Sequence, residues 1–133
     1  MSSLDLPFQR LRELRASLLR LHKALLDSER VTYEQFHGRI QTQGEFFRLA
    51  LGDEWFSWLR PFSQFIVRID EALDPKQQIT LEEANELLAE ARLLLRPAEN
   101  GTLREKRYYE AIQRDPNIAF VHAETASVLN HKS

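Results

Sequence analysis

The sequence predicts an all-α protein: a single helical bundle of four main antiparallel helices plus a short, broken C-terminal helix pair. Three observations carry this expectation. Leucines and aromatics recur at spacings of three and four through most of the chain. Threonine–glutamate pairs three residues apart precede several of the apolar runs, as in helix capping boxes. The period-two alternation of a half-buried strand is absent. With 133 residues, 43% of them hydrophobic and 29% charged, the chain suits one domain (1–133) with one core.

The first helix is the clearest element. Leu4, Leu11, Leu18 and Leu25 recur every seven residues, and Leu14 and Leu21 follow three residues after two of them. Asp5 before Pro7 suits a helix start, so this helix is placed at about residues 5–29. Leu19 and Leu26 widen the stripe, which favours a globular interior over a two-stranded coiled-coil seam. Thr32-Tyr33-Glu34-Gln35 then reads as a capping box for a second helix. Phe36, Ile40, Phe47 and Leu51 fall on its face, and Gly52 is a natural left-handed stop. Gly38 and Gly44 inside it each cost up to about 1 kcal/mol relative to alanine and suggest a close helix crossing.

Asp53 is positioned to cap a third helix running to about Leu73. On an α-helical count Trp55, Trp58, Phe62, Phe65, Ile66 and Ile69 share a buried face. Phe56 falls off that stripe, and so does Leu59. Pro61 removes a backbone donor and is expected to kink or split the helix. Thr80-Leu81-Glu82-Glu83 opens a fourth helix that Pro97 ends, and Thr102-Leu103-Arg104-Glu105 opens a short fifth. Asp115-Pro116 restarts the chain as a last helix, and the tail after Asn130 is expected to fray.

Charge and composition narrow the function classes. The formal net charge of −2 makes no case for a polyanion-binding surface. The charge is uneven: Arg10, Arg12, Arg15, Arg20, Lys23 and Arg30 lie in the first helix region, whereas Asp74, Glu82, Glu83, Glu86 and Glu90 face only Lys76 later on. A basic helix packed beside an acidic one is the plain reading. The absence of cysteine excludes disulfides and thiol chemistry. Residues 1–6 lack the basic and apolar segments of a signal peptide, and no run approaches a membrane span of about 18 apolar residues, so the expected location is cytoplasmic.

No spacing amounts to a catalytic or cofactor signature. Glu34 and His37 form one E-x-x-H pair, where a di-iron bundle needs two, so no metal and no cofactor are expected. H-E-x-x-H, G-x-S-x-G and Gly-Lys-Ser/Thr are all missing. A helix-turn-helix around Gly101 with Arg104, Lys106 and Arg107 is opposed by the acidic helix before it, so nucleic acid is not the expected partner. The partner-binding candidates are Trp55, Phe56, Leu59 and Arg60, read as an exposed aromatic patch with a polar rim for a protein partner or a second copy. The alternative is an interhelical small-ligand or enzyme pocket built from His22, Tyr108 and His122.

Trp58-Leu59-Arg60-Pro61-Phe62 through Ile69-Asp70-Glu71, with Leu95-Arg96-Pro97-Ala98-Glu99 and Arg107-Tyr108-Tyr109, resembles an uncharacterised group of bacterial all-helical proteins over residues 50–130. The resemblance implies a bacterial, single-domain protein and no particular activity. The resulting expectation is a non-enzymatic helical protein that acts by protein–protein interaction or self-association.

Overall fold

Leu11, Leu14, Leu18, Leu21 and Leu25 line one stripe of the first helix, α1 (Leu6–His37), and each is no more than 1% exposed. The computed structural model describes residues 6–130. Leu4, Asp5, His131 and the expected tail fraying lie outside the described residues. Within them are six α-helices and no strand, which makes the protein all-α.

α1 does not stop near residue 29. Thr32 sits inside it and donates its hydroxyl to the Ser28 carbonyl four residues back at 3.3 Å, as a threonine does mid-helix. The helix ends at Gly38, whose φ of +85° is the left-handed conformation that glycine adopts without strain. Glu34 then accepts the Ile40 N–H at 2.8 Å, fastening the chain after the turn. The cap that opens α2 (Gln43–Gly52) is Thr42, whose hydroxyl oxygen accepts the Glu45 N–H at 3.0 Å.

Spacings counted across this break therefore misplace the second apolar face. Ile40 is buried in the connecting loop, but Phe36, Phe47 and Leu51 are exposed, and α2 rests on the core through Phe46 and Leu49 instead. A Cβ at Gly38 or Gly44 would meet nothing closer than 4.0 Å, so neither marks a close crossing. Leu19 is also exposed and does not widen the buried stripe.

Residues Glu54–Leu59 form a 3-10 helix, with Asp53 Oδ1 accepting the Trp55 N–H at 2.8 Å. α3 (Arg60–Leu73) starts directly after it, with Pro61 in the first turn where its missing N–H costs nothing. The expected split at Pro61 is present. α4 (Leu81–Leu94) and α5 (Leu103–Arg114) open on the reciprocal boxes Thr80/Glu83 and Thr102/Glu105. The backbone hydrogen bond from Thr102 holds the Glu105 carboxyl below its ordinary range. Asp115 Oδ1 accepts the Asn117 N–H at 2.9 Å and starts α6 (Pro116–Asn130).

α1 is the spine of the core. Its leucine stripe packs on α6, α3 and α4, while α2 is held mainly by the 3-10 helix. At the α1–α6 contact the buried hydroxyls of Ser17 and Thr125 hydrogen-bond, and Thr125 donates its proton to the Val121 carbonyl at 2.8 Å. The basic helix does touch the acidic one, but its cross-helix ion pair goes from Arg15 to Asp70 on α3, and α4 pairs with α3 through Arg68 and Glu90.

Candidate interaction site

The aromatic segment is organised by the 3-10 geometry. At about 120° per residue, positions three apart eclipse one another, so Phe56 and Leu59 point the same way. Both are buried, at 0% and 2% exposure, and Trp58 is buried beside them. This corrects the expectation that Phe56 and Leu59 form an exposed partner-binding patch: an α-helical count of 100° per residue turned them outward. Trp55, expected in the core, is only half-buried. Arg60 is turned back, donating to the Asp53 carbonyl at 2.7 Å and tying the 3-10 helix to α3. Phe56 and Leu59 therefore close a structural corner, while Trp55 and Arg60 stay half-buried at its edge.

Trp55 itself is the hub of an aromatic cluster. Its Nε1 donates to Glu29 at 3.0 Å, Tyr33 and His37 meet its ring at centroid distances of 5.7 and 5.5 Å, and the Arg107 guanidinium lies 5.8 Å from its centroid. Tyr33, His37, Trp55, Trp58, Leu103 and Arg107 border a hollow of about 480 Å³ that Asp53 and Glu54 also reach. Trp58 Nε1 is buried and donates to no atom among the described residues. The hollow mixes one arginine with two carboxylates, so its charge selects no single class of small ligand.

Of the alternative ligand group, the structure brings Tyr108 and His122 together. The Tyr108 hydroxyl and His122 Nδ1 are hydrogen-bonded at 2.6 Å across α5 and α6. Burial pushes the Tyr108 phenol up and holds the His122 imidazole below its ordinary range. His22 forms no hydrogen bond with either residue; burial lowers its imidazole too. The pair ties α5 to α6, and His122 also borders a depression of about 230 Å³ with Arg92 and Arg96. Glu34 and His37 are not a metal pair either: Glu34 is taken by Ile40 and Arg30, and His37 stacks on Tyr33. No cluster of three or more His, Asp or Glu side chains suited to a metal ion occurs among the described residues.

The surface feature that sequence spacing did not single out is the seam of α3 and α4. Pro61, Gln64, Phe65, Arg68, Glu71 and Ala72 mark one helical face of α3, at steps of three and four. Glu83, Glu86, Leu87, Glu90, Leu93 and Leu94 mark the equivalent face of α4 at the same steps. The two faces border two depressions of about 260 and 330 Å³ that meet at the Arg68–Glu90 ion pair, a groove bridged at its middle. The N-terminal half of α3 lies beside the C-terminal half of α4, and the reverse holds at the other end. α3 and α4 each turn buried residues to α1 and touch each other, and the groove lies along the outer side of their seam. The signal was present in the sequence as the Phe65/Leu93 and Arg68/Glu90 positions, but only the pairing of the helices reveals that they face one another. No family model matches the chain, and no curated protein and no solved structure matches it.

Proposed function

We propose that this chain is a non-enzymatic helical protein that works by binding another protein, and that the α3/α4 groove is its working surface. The observation that carries this reading is a depression along both helices that no described helix fills, with Leu93 on its wall 64% exposed. A groove between two helices is the place where a third helix lays its apolar face. Tyr108 is hydrogen-bonded to His122, and Glu34 to the Ile40 N–H, which supports a binding role over catalysis. No described helix is long and apolar enough to cross a membrane; a cytoplasmic setting and kinship with bacterial helical proteins remain part of this proposal. A second reading, a small-ligand site in the aromatic hollow, is favoured by the unpartnered Trp58 N–H at its border.

The test compares the native chain with Leu93→Glu in capture from cell extract and in sedimentation, with Phe120→Glu on α6 as an exposed control. The native chain and the control retain a protein partner, and Leu93→Glu loses it without a change in melting temperature. Equal capture by all three chains would exclude the groove as the working surface.

A further inference from the structure

The groove is polarised along its length. Where the C-terminal half of α3 meets the N-terminal half of α4 it is lined by Glu71, Glu83 and Glu86, with Ile79 and Leu87 as apolar floor. The other end presents Leu93, 64% exposed, and half-buried Pro61 above the buried Phe65 and Leu94, with Gln64 beside them and Arg104 at its margin. Arg68 and Glu90 form an ion pair at 2.6 Å between the two ends and offset each other. Glu71 and Glu86 form no ion pair among the described residues, and Glu83 spends one oxygen on the Thr80 cap.

Building on the interaction reading, we propose that the groove takes an amphipathic helix of a partner protein, with lysines or arginines at one end and leucine-like residues at the other. The dimensions fit. The lining faces extend over residues 61–72 and 83–94, and eleven steps at about 1.5 Å each make roughly 16 Å, three turns of a guest helix. Apolar guest side chains meet the exposed Leu93 and the half-buried Leu87. A basic guest end meets three carboxylates, whose field steers it into register. An acidic guest or a nucleic acid backbone is repelled at that end.

A second copy of this chain matches the groove poorly. The arginine-rich helix is α1, and its leucine stripe is committed to its own core. α2 does expose Phe47 and Leu51, but its Arg48 is offset by Glu45, so it lacks the basic end the groove calls for.

The test uses two synthetic helical peptides of about 16 residues with leucines at steps of three and four. One carries lysines at a single end, and the other carries glutamates there. Binding to the full chain is read by fluorescence anisotropy at low and high salt. The lysine peptide is expected to bind about tenfold more tightly than the glutamate peptide, with the difference shrinking as salt rises. Glu71→Lys/Glu86→Lys reverses the preference, Glu86→Gln weakens it in the same direction without adding charge, and Glu124→Lys on α6 leaves it unchanged. Equal binding of the two peptides, or indifference to changes at Glu71 and Glu86, overturns the proposal. In that event Leu93→Glu separates the two ideas. If it still abolishes peptide binding, the groove is an interaction surface of other charge preference; if it has no effect on peptide or extract capture, the interaction reading falls as well.

Discussion

Glu29, 2% exposed on α1, accepts the indole N–H of Trp55 at 3.0 Å. This bond joins the Tyr33 and His37 ring contacts in tying the spine of the protein to the 3-10 helix, and Arg114 of α5 approaches the same carboxylate at 3.8 Å while also reaching Ser28. Glu29→Ala strands the indole donor and leaves Arg114 without its anion. The expected loss is about 1–3 kcal/mol, and Glu29→Gln, which keeps an acceptor, loses less. Urea melts of both variants check this, and equal losses would contradict the hydrogen-bonding role.

The burial of the aromatic corner sets a larger effect. Trp58→Ala removes a side chain that is 5% exposed and is expected to cost roughly 3–5 kcal/mol. Phe56→Ser, which places a hydroxyl where the ring is fully buried, is expected to cost a comparable amount. A loss under about 1 kcal/mol for either in denaturant melts would show that the corner is open.

The Ser17–Thr125 contact predicts an asymmetry. Thr125 gives its proton to Val121, so Ser17 is the donor to Thr125. Thr125→Val strands the Ser17 proton and should cost about 1–3 kcal/mol, whereas Ser17→Ala leaves the Thr125 proton satisfied and should cost less. The double variant should recover part of the loss, because an apolar pair replaces a hydroxyl pair. Strict additivity in a double-mutant cycle would mean that the two hydroxyls are not coupled.

Two half-buried imidazoles give the stability a pH dependence. Burial lowers both His22 and His122 from the ordinary value of 6.5. Above that value folded and unfolded chains are both neutral at these sites, and their contribution is fully present. As pH falls through 6.5 toward the folded values the unfolded chain takes up protons first, so stability declines. A charged His122 can only donate from Nδ1, so the Tyr108 hydroxyl must then act as the acceptor. His122→Gln should flatten this part of the profile in chemical denaturation between about pH 7 and 5. An unchanged slope would remove His122 from the account.

Where the sequence was legible, the reason is local. The leucine stripe of α1 and the boxes at Thr80 and Thr102 depend on residues within a turn or two of one another, and each forms as spacing implies. The misreadings share one cause, which is counting at 3.6 residues per turn through a break. Gly38 ends α1 and shifts the phase of Phe47 and Leu51, and the 3-10 helix at Glu54–Leu59 turns Phe56 and Leu59 inward. Neither break is dictated by local propensity alone: Thr32 is as good a cap in isolation as Thr42, and tertiary packing of α1 decides between them. The groove was illegible for a different reason. Its two walls are amphipathic flanks of separate helices, and no single-helix pattern says which flank will face a neighbour.

The central claim is that the α3/α4 seam, and not the aromatic segment, is the working surface. Amide hydrogen exchange of the full chain, with and without saturating lysine-ended peptide, tests it most directly. The account predicts slowed exchange confined to Gln64–Ala72 and Glu83–Leu94. Slowing concentrated at Trp55–Arg60 or in α2, with α3 and α4 unaffected, would contradict it.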